Sequence, residues 1–241
     1  MNLVSITRYP IKGFAGEQVP TTAVHQYKTL PGDRQYALQY ADRIPPKEGW
    51  RPKKYFLHSV HTNLCSQISI DWDDDTFTCR YQDTTIQLAR HPIDTSEFSR
   101  WITSLEPSLG EFTLERLDSG FTDEPDAYVS LVNQNTIVAI AEATSTPAYA
   151  ERYRANLLIE DVQAFGELDW VGKTLIIGSQ RFEVVEPIVR CRATECDWHG
   201  GRTDDFLQRL DQALNLDTCG LFLKALDNGT ITDSDAIEII D

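Results

Sequence analysis

Trp170-Val-Gly-Lys-Thr-Leu-Ile-Ile-Gly178, then Arg181-Phe-Glu-Val-Val-Glu186, then Pro187-Ile-Val-Arg190-Cys191-Arg192-Ala-Thr194-Glu-Cys196-Asp197 is the stretch that decides the fold. Thr174 to Ile177 and Phe182 to Val185 are short apolar runs of the kind that form strands in a sheet or barrel. The second run leads into a cysteine with an arginine on each side. Neighbouring positive charge favours the thiolate, which attacks carbon or sulfur and binds soft metals. In a chain of net charge -15, two arginines around one cysteine mark the first place to look for function.

Working outward, alternating runs predict strands at Arg34 to Tyr40, Gln67 to Trp72, Thr76 to Tyr81, Thr85 to Leu88 and Glu111 to Leu117. Asp73-Asp74-Asp75 and Gln82-Asp83 read as turns between them. The loop from Ala41 to Lys54, with Pro45-Pro46 and Trp50-Arg-Pro52, is a lid or a solvated connection. Thr95 to Leu105 predicts a helix with Thr95 or Ser96 as its cap, and Asn133 caps another that runs to about Glu142. A further helical stretch covers Pro147 to Tyr153. Tyr128 to Val132, Leu157 to Ile159, Gly220 to Leu226 and Ala236 to Ile240 complete the strands. Leu207, Leu210 and Leu214 share one face of a last helix from Asp204. The fold class expected is mainly β with a few helices (α+β). The loop Asp118 to Asp126 is the candidate boundary between an N-terminal β-rich half (1–118) and the rest (119–241).

Hydrophobic content of 41% and charged content of 24% describe an ordinary globular chain. The acidic balance argues against nucleic acid, which demands a basic face. No run approaches the ~18 apolar residues of a membrane span, and the first ten residues lack the basic-then-apolar order of a signal peptide. A cytoplasmic protein is expected. Five cysteines, widely spaced and odd in number, do not read as a disulfide scaffold. Cys65, Cys79 and Cys219 lie in or beside strands, as small buried hydrophobes do.

Five short motifs, in order, resemble the MOSC family of molybdenum-cofactor proteins with its N-terminal β-barrel domain. They are Tyr9-Pro10-Ile11-Lys12-Gly13, Gly32-Asp33-Arg34-Gln35-Tyr36, Arg152-Tyr153-Arg154-Ala155-Asn156-Leu157, Trp170 to Gly178, and Arg190-Cys191. The family includes eukaryotic amidoxime-reducing enzymes, bacterial relatives that reduce hydroxylated nitrogen compounds, and the C-terminal domains of cofactor sulfurases. The resemblance implies a molybdenum-cofactor-dependent oxidoreductase acting on small N-oxygenated compounds, with a MOSC-type β-barrel as its second domain. It makes Cys191 the metal ligand and Lys12, Gly13, Arg34, Arg154, Asn156 and Arg190 the cofactor-binding set. The cofactor ends in a phosphate, which guanidinium groups grip in bidentate fashion while Lys12 acts as a point charge. Asn156 has an amide for the pterin edge. By position, Asp126, Ala127 and Tyr128 would add a backbone phosphate contact. Asp197, close to Cys191 in sequence, is the candidate proton relay, with a loop-building role as its alternative.

Three departures bear on the rim of the site. Gly13 stands where the family often has serine, Ala155 where proline is common, and Thr194-Glu-Cys196-Asp197-Trp198 replaces a run ending in Val-Asp-Pro. No cysteine follows Cys219, so electrons are expected from a separate ferredoxin-, flavin- or haem-type donor. Two other readings remain beside this one. The protein is a carrier of the cofactor or of a persulfide on Cys191, or Cys191, Cys196 and His199 hold a structural zinc.

Overall fold

Period-two alternation of apolar residues is what a half-buried strand requires, and it is followed closely here. In the strand Gln180–Val189, Phe182 and Val184 are buried between the exposed Arg181 and Glu183. The computed structural model describes residues 1–46, 49–89, 95–126 and 128–240. Among them are fifteen strands and four α-helices. In chain order these are β1 (Asn2–Arg8), β2 (Glu17–Val19), β3 (Thr21–Val24), β4 (Tyr36–Tyr40), α1 (Leu64–Gln67), β5 (Ser69–Trp72), β6 (Thr76–Tyr81), β7 (Thr84–Ala89), α2 (Thr95–Leu105) and β8 (Phe112–Arg116). There follow β9 (Val129–Asn133), α3 (Gln134–Thr144), β10 (Leu157–Glu160), β11 (Thr174–Ile177), β12 (Gln180–Val189), α4 (Phe206–Leu214), β13 (Thr218–Ala225), β14 (Gly229–Thr232) and β15 (Ile237–Ile240). The mainly β class with a few helices is the architecture found.

Two compact units interleave along the chain. One comprises Met1–Arg8, Gln18–Pro31 and Asp126–Asp241; the other comprises Tyr9–Glu17 and Gly32–Pro125. Segments from before residue 118 therefore contribute to the unit that carries the C-terminal strands.

In the first unit a sheet runs β15-β11-β12-β13-β9-β10-β1-β2. From β15 to β1 its ladders are antiparallel except for β9 beside β10. It does not close as a continuous hydrogen-bonded barrel. Asn2, at the start of β1, meets Ala236, just before β15, in an isolated bridge. Leu3, Ile6, Leu131, Leu157, Phe182, Val184, Leu221 and Leu223 form the core of this unit and are essentially solvent-free. β3 pairs separately with β14, more than two hundred residues later.

The β12–β13 ladder shifts register on both sides of Pro187. Proline has no N–H to give a ladder, so a strand accommodates it at bulges. Opposite, Gly220 has φ +81°, and a Cβ there would collide with the Leu131 carbonyl oxygen. Only glycine lets β13 pass so close to β9 in that conformation. These irregularities lie immediately before Cys191, so the sheet delivers the cysteine at a bent strand end.

Helices α3 and α4 pack through Val132, Ile137, Ile140, Tyr153, Phe206 and Leu210. Asn133 caps α3 as expected, its side chain accepting from the Asn135 amide at 3.0 Å. The buried face of α4 centres on Phe206 and Leu210, with Leu207 and Leu214 only partly buried. The helix read over Pro147 to Tyr153 is a single 3-10 turn, Ala150–Tyr153. Its exit residue, Arg154, takes a left-handed conformation (φ 52°) that ends the turn.

The second unit holds two small sheets, β4-β8 and the meander β5-β6-β7. The Asp73 amide donates to the Thr76 carbonyl at 2.9 Å, closing the expected acidic turn. Phe14, Phe77 and Phe98 meet edge to face at the core. The loop read between Ala41 and Lys54 is tied by the Trp50 indole N–H to the Thr122 carbonyl at 3.1 Å; Lys47 and Glu48 fall outside the described residues.

Candidate functional site

Cys191 follows β12 and immediately precedes the 3-10 turn Arg192–Glu195. Of the five cysteines it alone is not fully buried. The turn after it is held by arginines. Thr194 donates to the Cys191 carbonyl from its amide at 3.0 Å and from Oγ1 at 2.8 Å. The Thr194 carbonyl in turn accepts from Arg152 Nη1 at 2.7 Å. Buried Glu195 pairs with Arg192 at 3.2 Å and with Arg202. Arg202 Nη1 also donates to Cys196 Sγ at 3.2 Å.

Arg190 runs in the opposite direction. Its Nη1 donates to the Tyr153 carbonyl at 3.1 Å and its Nη2 to the Cys219 carbonyl, while its guanidinium lies over the Tyr153 ring. Burial pulls Arg190 below the usual guanidinium range, opposed by Cys219, Tyr153 and Cys191. Its Nε is buried and has no hydrogen-bond partner among the described residues. Burial pushes the Cys219 thiol up to about 12, so it is a neutral packing group.

Arg154 lies with its Cζ 4.4 Å above the Trp198 ring, an indole held at φ 65°. Asp197 builds that loop: its Oδ1 accepts from the amides of His199 at 2.9 Å and Gly201 at 2.8 Å. Asn156 is used as an internal staple. Its Oδ1 accepts from the Ser130 amide and hydroxyl at 3.1 and 2.9 Å, and its Nδ2 donates to the Thr7 carbonyl at 3.1 Å. The atoms that the resemblance offers to a pterin edge thus join β1, β9 and the start of β10.

Lys12, Gly13 and Arg34 belong to the second unit. Lys12 Nζ, buried, donates to the Phe121 carbonyl at 2.8 Å and is ion-paired with Asp123. Arg34, at φ 52°, is ion-paired with buried Asp33 and lies over the Tyr9 ring. Burial would lower Arg34, but Asp33 and Asp123 outweigh it and hold it above the usual value. Gly13 has φ +83°, and a Cβ would come within 2.9 Å of the His58 Cα and the Leu57 carbonyl oxygen. The chain approaches too closely there for serine, which explains the first departure. Of the backbone phosphate contact inferred at 126–128, Ala127 lies outside the described residues.

The reading of the residues missed Arg152, Trp198 and Asp123. Arg152 is 1% exposed, and nothing in its local pattern signals that, since arginines are rarely buried. Asp123 sits in a polar loop that reads as solvated. The zinc alternative is not supported: among the described residues no three His, Cys, Asp or Glu side chains gather to hold a metal. His199 instead lies tilted against Tyr149, with ring centroids 3.9 Å apart.

A partly buried thiol, preceded in the chain by a partly buried arginine whose Nε has no hydrogen-bond partner among the described residues, offers donor groups compatible with a soft metal and an anionic cofactor. The MOSC domain model matches residues 118–238, half of the sequence, and the chain belongs to this family, which is associated with binding of molybdenum cofactor. A search of curated proteins finds no match. The crystal structure of the YuaD protein from Bacillus subtilis aligns over 99% of this chain and 94% of its own, at TM-score 0.51 and 12% identity. At that identity it shows a shared fold. YiiM from Geobacillus stearothermophilus aligns over 47% of this chain and 54% of its own, at TM-score 0.38 and 16% identity. Among the described residues no helix is long and apolar enough to cross a membrane.

Proposed function

We propose that the protein is a molybdenum-cofactor-dependent reductase of small N-oxygenated compounds, fed by a separate ferredoxin-, flavin- or haem-type donor in the cytoplasm. The observation that carries this reading is the placement of Cys191, a partly buried thiol at the end of a strand and ahead of a turn clamped by arginines. The bound cofactor would supply two-electron exchange at its metal. This chain would supply the thiolate ligand at Cys191 and fixed cations for the phosphate from Arg154 and Arg190, with Lys12, Gly13 and Arg34 contributing from residues 1–118. Asp197 would hold or pass a proton at Oδ2, because its Oδ1 is occupied by two amides. Asn156 would contribute by keeping β10 in register with β1 as well as by any contact of its own. No nucleic acid and no membrane enter this scheme.

The test is metal analysis of protein made in a host that synthesises the cofactor. About one molybdenum per chain is expected, with marked loss in Cys191→Ala. Turnover of N-hydroxylated compounds with an artificial electron donor should then follow. Molybdenum without turnover would favour the cofactor carrier; no molybdenum, beside a loaded control enzyme, would remove the reductase reading and leave a persulfide carrier to be tested.

A further inference from the structure

Of the chain's 22 lysines and arginines, Arg43, Lys47, Arg51, Lys53 and Lys54 fall within residues 43–54, against one acid, Glu48. The segment is therefore at +4 in a chain of -15, and the rest of the chain carries -19. Lys53 and Lys54 are exposed, and among the described residues neither they nor Arg51 make an ion pair. Arg43 Nε stands 3.9 Å from Asp42, with both side chains exposed. Two large apolar side chains also face water on this segment, Ile44 at 85% exposure and Trp50 at 40%. A mere connection gains nothing from an exposed isoleucine and indole set among cations. A protein interface does, because tryptophan and arginine supply much of its binding energy.

The segment is held in shape at both ends. Arg43 Nη1 donates to the Lys54 carbonyl at 2.5 Å, which brings the two ends together, and the Arg43 carbonyl accepts from Gln39 Nε2 at 3.3 Å. The Trp50 N–H is spent on the Thr122 carbonyl, so the indole is fixed while part of its ring faces water. The 3-10 turn Lys53–Tyr55 then leads to Leu57, whose amide donates to the Leu38 carbonyl of β4 at 2.8 Å. Loops closed on themselves in this way are compact, and a pre-ordered surface loses less entropy when a partner lands.

The charge of the rest of the molecule selects the partner. An extended polyanion, whether nucleic acid or an anionic lipid surface, meets the -19 remainder as well as the +4 segment and is repelled. A small protein with an acidic face touches the segment alone and is steered to it.

We propose that residues 43–54 are the docking surface for an acidic redox protein, with Arg43, Arg51, Lys53 and Lys54 steering it and Ile44 and Trp50 as its apolar contacts. This rests on the reading of the chain as a reductase fed by a separate donor, and it assigns that donor an acidic face.

The experiment is calorimetric titration of the full-length protein with two acidic donors, a plant-type ferredoxin and a flavodoxin, and with basic cytochrome c as the opposite charge. At least one acidic donor should bind at low salt, and raising the ionic strength from about 0.01 to about 0.15 M should weaken it about tenfold. Lys53→Glu together with Lys54→Glu, both at exposed positions, should cost a further factor of about ten, and Trp50→Ala should also weaken binding. Cytochrome c, drawn to the acidic remainder, should bind the double variant at least as well as the parent, which also shows that the variant is folded. In loaded protein, turnover driven by the acidic donor should fall with its binding while turnover with an artificial donor is unchanged. Failure of both acidic donors to bind, or binding indifferent to the two glutamates, would overturn the inference. So would an oligonucleotide or an anionic phospholipid vesicle that binds the parent and is lost by the double variant, because the segment would then serve another class of partner. Molybdenum content decides the reductase reading separately. A chain without molybdenum that binds an acidic donor through this segment would keep the surface and sink that reading, whereas a loaded chain that binds neither donor would sink this inference alone.

Discussion

Arg152 reaches Cys191 through a single intermediate residue. Its Nη1 donates to the Thr194 carbonyl, and Thr194 donates twice to the carbonyl of Cys191. The candidate metal ligand is thereby tied to the interior, since Arg152 is buried over the Phe206 ring, 4.6 Å from its centroid. Burial lowers its basicity, and two of its nitrogens, Nε and Nη2, have no hydrogen-bond partner among the described residues. A guanidinium kept under such conditions is costly, which is the reason to test what it contributes.

Arg152→Ala removes the donor to Thr194 and opens a cavity beside Phe206; a loss of about 3 kcal/mol in urea unfolding is expected. Arg152→Met keeps the bulk and removes the desolvated charge, and should cost clearly less. Equal losses would mean that the charge or its hydrogen bond, not the volume, is what the turn requires.

Thiol chemistry should single out Cys191. Burial raises Cys79 and Cys219 to about 12, and Cys65 and Cys196 are inaccessible. In native protein a thiol reagent should therefore modify only Cys191, and Cys191→Ala should be inert until denatured. Rapid labelling of a second cysteine in the native state would contradict this burial pattern.

Much of the fold was legible because local periodicity carries it. Thr76–Tyr81, Thr95–Leu105 and Thr174–Ile177 coincide with their patterned runs, and Asn133 caps as its side chain predicts. What was hidden was long-range. Nothing in Asn2–Arg8 announces that it pairs with Leu157–Glu160, nor in Thr21–Val24 that it pairs with Gly229–Thr232. Pairing partners far apart in sequence leave no local signature, only a pleat and a burial face. The site divides in the same way. Cys191 was singled out as a candidate by its flanking charges, whereas the internal use of Asn156 and the pairing of Lys12 with Asp123 depend on neighbours distant in sequence.

Gly220→Ala tests the bent strand end directly. Its φ of +81° disfavours any side chain, and the added methyl would meet the Leu131 carbonyl and approach Arg190. A loss of about 3 kcal/mol is expected, together with a changed reaction rate of the Cys191 thiol. A variant as stable as the parent would show that β13 can move away from β9 at little cost.

Acid stability should carry the signature of His58. Unfolded, this imidazole takes a proton below about pH 6.5. Folded, burial and the neighbouring His61 and Lys12 lower it to about 3. Between those values the unfolded chain binds the additional proton, so stability falls as pH drops from about 6.5 towards 3. Asp123 contributes in the same direction, but only below the ordinary carboxylate range, because its folded value is depressed. The two are separable by window. Replacing His58 with glutamine should flatten the slope of unfolding free energy between about pH 6.5 and 4.5, leaving the steeper loss at lower pH in place. An unchanged slope in that interval would mean that His58 is as easily protonated in the folded protein as in water, and that its packing against His61, with ring centroids 4.2 Å apart, does not keep it neutral.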